Sequence, residues 1–109
     1  LILDRLAAEG AFPLAAQLCA LGSAQRFQIP NKGAIEVGND ADLVLLALRE
    51  PKPIEAKDLL YRHALSPYVG LQNRVRLLLT LVRGEVAFSL LGHPVRARGR
   101  FLPGSHGLR

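Results

Sequence analysis

The stretch Lys32–Leu46, KGAIEVGNDADLVLL, constrains this chain most, because it places two turns and one deeply apolar strand within fifteen residues. Gly33 and Gly38 can take positive φ without steric cost, and Asn39 and Asp40 can bond their own backbone, so a chain reversal is expected at each glycine. Between them Ala34-Ile35-Glu36-Val37 alternates loosely, as a short half-buried strand does. Beyond the second turn, Leu43-Val44-Leu45-Leu46-Ala47-Leu48 is apolar without alternation, which predicts a strand covered on both faces and flanked on both sides. The residues N-terminal to this stretch have helical spacing, and most of those C-terminal to it have the character of strands.

The helical part begins with Leu1, Ile2, Leu6 and Ala7 on one side and Asp4, Arg5 and Glu9 on a wet face, with Gly10 as the stop. Pro13 then opens a second helix, with Leu14, Leu18 and Leu21 on its apolar face and Ala15, Ala16, Cys19 and Ala20 permitting close packing. Gly22 is expected to close it, and Ser23 to cap a last turn through Arg26 and Phe27 before Pro30. Past the apolar strand, Glu50-Pro51-Lys52-Pro53 reads as a loop. Ile54–Tyr61 reads as a helical turn with Leu59 and Leu60 buried and Lys57-Asp58 exposed. Val75–Val82 and Val86–Phe88 form a hairpin about Arg83-Gly84-Glu85.

Several segments resemble the cyclic amidohydrolases, the superfamily of dihydroorotases, hydantoinases and allantoinases. The motif KG-x-I-x-x-G-x-DADLV-L is similar to the passage from their barrel into the small β-sandwich. Ser23-Ala24-Gln25-Arg26-Phe27 is similar to a turn at the end of that barrel, although it is shorter and lacks the proline. The pattern Thr80-x-x-Arg83-Gly84-Glu85-Val86 and the tail from His93 to Phe101 are also similar to the family, and Arg62-His63 followed by Ser66-Pro67-Tyr68-Val69-Gly70, with the Gly-x-Phe ending of the tail, resembles allantoinases in particular. One departure is Leu71-Gln72, where the family commonly has an arginine directly after Ser-Pro-Tyr-x-Gly. The resemblance runs over about residues 5 to 101 and implies an α+β fragment. Residues 1–30 would be terminal helices of a TIM-like barrel, and residues 31–109 the C-terminal strands of a composite β-sandwich with a tail.

Size agrees with a fragment, since 109 residues hold one domain whereas a barrel enzyme takes about 250. Half of the residues are hydrophobic and the mean hydropathy is +0.20, as for a chain whose surface is completed by a partner. The chain starts at Leu1 rather than at methionine, as a piece of a longer protein does. Its first residues show no basic leader, and no apolar run approaches the ~20 residues of a membrane helix. We expect neither secretion nor a membrane span, and place the chain in the cytoplasm.

The resemblance also implies where the chemistry lies. These enzymes hydrolyse a ring amide with one or two divalent metals, zinc in the expected parent, held by a His-x-His pair, a carbamylated lysine, two further histidines and an aspartate. All of those positions are upstream of this stretch. We therefore assign no catalytic, cofactor or metal residue to this chain. Asp40 and Asp42 read as turn carboxylates that cap loop amides, and the resemblance gives that motif a structural role. His63, His93 and His106 have neither the one-apart nor the four-apart spacing of zinc ligands. Ser66 near His63 lacks an orienting third group. Cys19, the single cysteine, is expected to be a buried, inert thiol.

The formal charge of +5 and the pI of 10.1 favour acidic partners in general. Arg96, Arg98 and Arg100 could line one strand edge, but with Phe101 the sole nearby aromatic a solvated face is expected, with no specific nucleic-acid binding. The expected partners are the missing N-terminal part of the parent enzyme and further copies of the chain in a homo-oligomer. The alternatives are a dihydroorotase or hydantoinase portion, or a non-catalytic β-sandwich binding module.

Overall fold

The computed structural model describes residues 2–59, 62–63, 65–97 and 99–102. The chain folds as a helical N-terminal segment leading into a three-stranded antiparallel sheet, an α+β arrangement. Helix α1 spans Ile2–Ala8 and ends at Gly10, whose φ of 67° turns the chain while the Ala11 amide donates to the Leu6 carbonyl at 2.8 Å. Helix α2, Phe12–Ala16, carries Pro13 in its first turn.

Gly22 does not end the helix. A π-helical turn, Gln17–Leu21, continues α2 and leads directly into α3, Gly22–Arg26, with Gly22 itself helical at φ −61°. The Gly22 amide donates to the Gln17 carbonyl, five residues back. A Cβ on Gly22 would lie 3.0 Å from that carbonyl oxygen, so the glycine accommodates the wide turn instead of breaking the helix. Ser23 is likewise interior to the helix rather than a cap, and its hydroxyl donates to the Leu18 carbonyl at 3.4 Å. The helix stops through Gln28 in the left-handed region, φ 51°, with the Ile29 amide donating to Ala24.

The helix face that packs is not the one expected. Leu14, Leu18 and Leu21 are exposed, whereas Ala15 and Ala24 are buried. The reason is backbone approach: Gly33, at φ 97°, sits so close to the helix that a Cβ there would lie 2.8 Å from the Ala24 Cβ and 3.0 Å from the Leu21 Cα. The small residues therefore form the contact.

Gly33 and Gly38 both take positive φ, so the two reversals occur where the sequence places them. No strand forms between them. Ile35 is 87% exposed, and the Glu36 carbonyl and the Ala34 carbonyl instead accept from the Asn39 backbone and side-chain amides. With its carbonyls engaged in this local turn and no strand laid alongside, the segment stays irregular.

Strand β1, Leu43–Pro53, pairs with β2, Gln72–Val82, which pairs with β3, Glu85–Ser89, in the order β1-β2-β3. Two expectations are corrected here. The 50–53 segment is not a loop, since Lys52 pairs with Asn73 and Pro53 with Gln72 after an irregularity beyond Leu48. Prolines are tolerated because β1 is an edge strand and the ladder is already interrupted. Nor is β1 covered on both faces, because Val44, Leu45 and Leu48 are about half exposed and β2 is its neighbour on one side only among the described residues.

The hairpin is as predicted. Val82 pairs with Glu85 across the two-residue loop Arg83-Gly84, whose φ values of 51° and 80° are those of the turn that matches strand twist. A single 3₁₀ turn, Ala56–Asp58, lies in the predicted 54–61 segment with Lys57 and Asp58 exposed; the expectations for Leu60 and Tyr61 fall outside the described residues. Asp4, expected on the wet face of α1, instead accepts from the Arg74 amide at 2.7 Å and ties α1 to β2. Among the described residues no helix is long and apolar enough to cross a membrane.

Candidate functional site

The most built polar arrangement lies where the helical segment hands over to the sheet. Lys32, 14% exposed at its side chain, stands just past the helix terminus and reaches across the loop to Asp40 and Asp42. Its ammonium pairs with Asp40 Oδ2 at 2.7 Å and with Asp42 Oδ2. Asp42 Oδ1 in turn accepts from the Arg83 amide at 2.7 Å, and the Gly84 amide donates to the Ala41 carbonyl at 3.0 Å. The Asp40 amide closes the loop onto the Asn31 carbonyl at 2.9 Å.

This geometry sets the electrostatics. Burial acts to lower the pKa of Lys32, but hydrogen bonds from its ammonium to Asp40 and Asp42, with their charges, outweigh it and raise the value above that of an ordinary lysine. Burial acts to raise Asp42, and the Lys32 bond, the Arg83 amide and both positive charges outweigh it and hold the carboxyl below its ordinary range. Lys32 and Asp42 thus favour their charged forms, and Asp40 is paired to the same ammonium, the arrangement of a structural ion cluster. Asp42 is the loop-amide cap that its turn position predicts. Asp40 instead serves Lys32, a residue eight positions earlier that turn chemistry alone does not reveal as its partner.

Beside this cluster an apolar cleft of about 470 Å³ separates the α2–π helix from the start of β1, with Phe12, Ala16, Cys19, Ile35, Val44 and Leu46 in its lining. Cys19 is exposed there rather than buried, because the helix packs through its alanine face and leaves the thiol on the open side.

The other candidate residues lie apart. His63 and His93 are exposed and separate, and His106 is outside the described residues. The Ser66 hydroxyl accepts from the Tyr68 amide at 3.2 Å, a local turn bond. That turn is docked on the sheet, where the Gly70 amide donates to Ile54 and the Ile54 amide to Leu71, each at 2.9 Å. The arginine tail does not form a strand over 93–97; the Arg96 and Ala97 amides both donate to the Val86 carbonyl, and Arg98 is outside the described residues. Among the described residues no group of three or more histidine, cysteine or acidic side chains is placed to hold a metal.

The elements from α1 through the first part of β3 coincide with a family match. Residues 3–87 match the model of the amidohydrolase family. The chain belongs to that family. Among curated proteins it is similar to an allantoinase of Bacillus licheniformis, 38% identical over 89 residues, which is 81% of this chain and 20% of that protein. It is also similar to allantoinases of Salmonella newport and Salmonella heidelberg, each 37% identical over 91 residues, 83% of this chain and 20% of the relative. The chain thus spans about a fifth of the length of these relatives. The hand-over motif, the Ser66–Gly70 segment and the hairpin pattern lie inside the matched residues, while the Gly-x-Phe tail lies beyond the family match.

Proposed function

We propose that this chain is the C-terminal structural portion of a metal-dependent cyclic amidohydrolase of allantoinase type. Residues 1–30 contribute the last helices of the barrel, and residues 31–109 contribute strands and tail to a composite β-sandwich. The parent enzyme adds water across the ring amide of allantoin to give allantoate. The observation that carries this reading is the similarity to allantoinases over four-fifths of the chain but one-fifth of theirs.

The divalent metal that the family implies does not fit the residues present. The candidate carboxylates, Asp40 and Asp42, are held by the Lys32 ammonium, and Asp42 also by the Arg83 amide. A cation entering there would have to displace a lysine that both carboxylates favour in its charged form. The role of this chain is therefore positional: its sheet and helices complete and brace the part that holds the reacting groups. The half-exposed Val44, Leu45 and Leu48 and the one-sided pairing of β1 support partners on that side, first the N-terminal part of the parent and, in its absence, further copies of the chain.

The test joins this chain to the N-terminal four-fifths of the Bacillus licheniformis allantoinase, with the homologous C-terminal portion removed. Allantoin is offered, with zinc supplied. Hydrolysis of allantoin by the joined protein, and none by either part alone, is the expected result. Hydrolysis by the truncated allantoinase without this chain, or none by the joined protein, would remove the structural role.

A further inference from the structure

We propose that Lys32, Asp40 and Asp42 form an electrostatic latch that makes the connecting loop and the β2–β3 hairpin turn order and open as a single unit. The latch joins three segments separated in sequence. Asn31 and Lys32 leave the helix, 40–42 precede β1, and Arg83-Gly84 turn the hairpin, and each is tied to the next by a backbone bond as well as by charge. The Asp40 amide donates to Asn31, the Gly84 amide to Ala41, and the Arg83 amide to Asp42 Oδ1.

Two features make this a coupled device rather than a set of surface contacts. First, Asp42 divides its two oxygens between Lys32 and the hairpin amide, so losing one partner alters the other bond. Second, the hairpin end of the unit is held in a backbone conformation that a long side chain disfavours, Arg83 at φ 51°, while Asn31 at the other end takes the left-handed region, φ 58°, that asparagine tolerates. Such conformations persist where surrounding bonds over-determine them. The charged groups facing one another here are Lys32, Asp40, Asp42 and the Arg83 guanidinium, whose charge also favours ionised Asp42. With Lys32 neutralised, two partly shielded carboxylates face each other, and the drive to separate them acts on loop and hairpin together.

Hydrogen exchange of the full chain at fixed pH and temperature tests this. Compared with the unsubstituted chain, Lys32→Met should raise exchange at the Asp40, Arg83 and Gly84 amides together, by about ten-fold or more, while the ladder amides of Leu77 and Leu79 keep their protection. Lys32→Arg should restore most of the protection, and Lys32→Met combined with Asp42→Asn should add little to either change alone. Loss at Asp40 with unchanged Arg83 and Gly84, or effects of the two substitutions that simply add, would show independent surface contacts and overturn the proposal. Should Lys32→Met not fold, Asp42→Asn alone decides. Faster exchange at the Asp40 amide, which does not bond Asp42, is expected, and an unchanged rate there would refute the coupling.

Discussion

Gly33 shows how much a single residue can determine in this chain. Its positive φ, and the 2.8 Å at which an added Cβ would meet the Ala24 Cβ, leave no room for a side chain, so Gly33→Ala combines backbone strain with overpacking. We expect a loss of about 2–4 kcal/mol, measured as a lowered denaturant midpoint, whereas Gly38→Ala, with open space around its Cβ, should lose only the strain of its φ, about 1 kcal/mol. Charge acts at the same scale. Asp42 titrates below 3.8 in the folded chain, so its contribution is complete above the unfolded value and disappears as pH falls through the folded one. Lys32 titrates above 10.5, so its contribution is complete below that value and disappears as pH rises past the folded one. Melting temperature should therefore be level from about pH 5 to about pH 9.5 and fall on both sides. Asp42→Asn should flatten the acid limb, and an acid limb unchanged by that substitution would place the sensitive group elsewhere. The carboxylate's role as an amide cap was legible from its turn position, but its lysine partner and the Asp4 bond to Arg74, 70 residues away, were not, because pairing across a fold leaves no local periodicity.

Among the elements, those whose signal is local were readable and those that depend on neighbours were not. The hairpin is specified by two apolar runs about Arg83-Gly84, with Gly84 suited to one of the two positive-φ positions of the turn and Arg83, tied to Asp42 through its amide, taking the other. Gly84→Val should shift or broaden that turn and cost about 1–2 kcal/mol, visible as loss of protection at the Val82 and Glu85 pair. The helix through Gly22 was hidden because glycine ordinarily reads as a stop, while here it accepts a π turn that only the three-dimensional path reveals. Strand β1 ran past its prolines for a related reason: proline forbids a central strand, and whether a strand is central or an edge is decided by the rest of the sheet. The Ile35 segment failed as a strand because alternation supplies a face but not a partner to pair with.

At the scale of the whole molecule, the fold has sheet, helices and turns but little interior. Ala15 and Ala24 are the buried apolar residues among those described, and large side chains from Leu14 to Leu48 stand open to solvent. Small alanines cannot supply the burial that offsets ordering about a hundred residues. A chain of this kind is expected to complete its core on another surface, which agrees with a family match in which it spans about a fifth of its relatives' length. The family was legible from the hand-over motif and the hairpin because turn residues at fixed offsets keep their signal in a short stretch of chain. Static light scattering of the unsubstituted chain at tens of micromolar, read alongside calorimetric unfolding, tests this most directly. A mass of two or more copies that falls on dilution together with the melting temperature is expected. A compact monomer of 11.8 kDa that unfolds cooperatively at a concentration-independent temperature would contradict it.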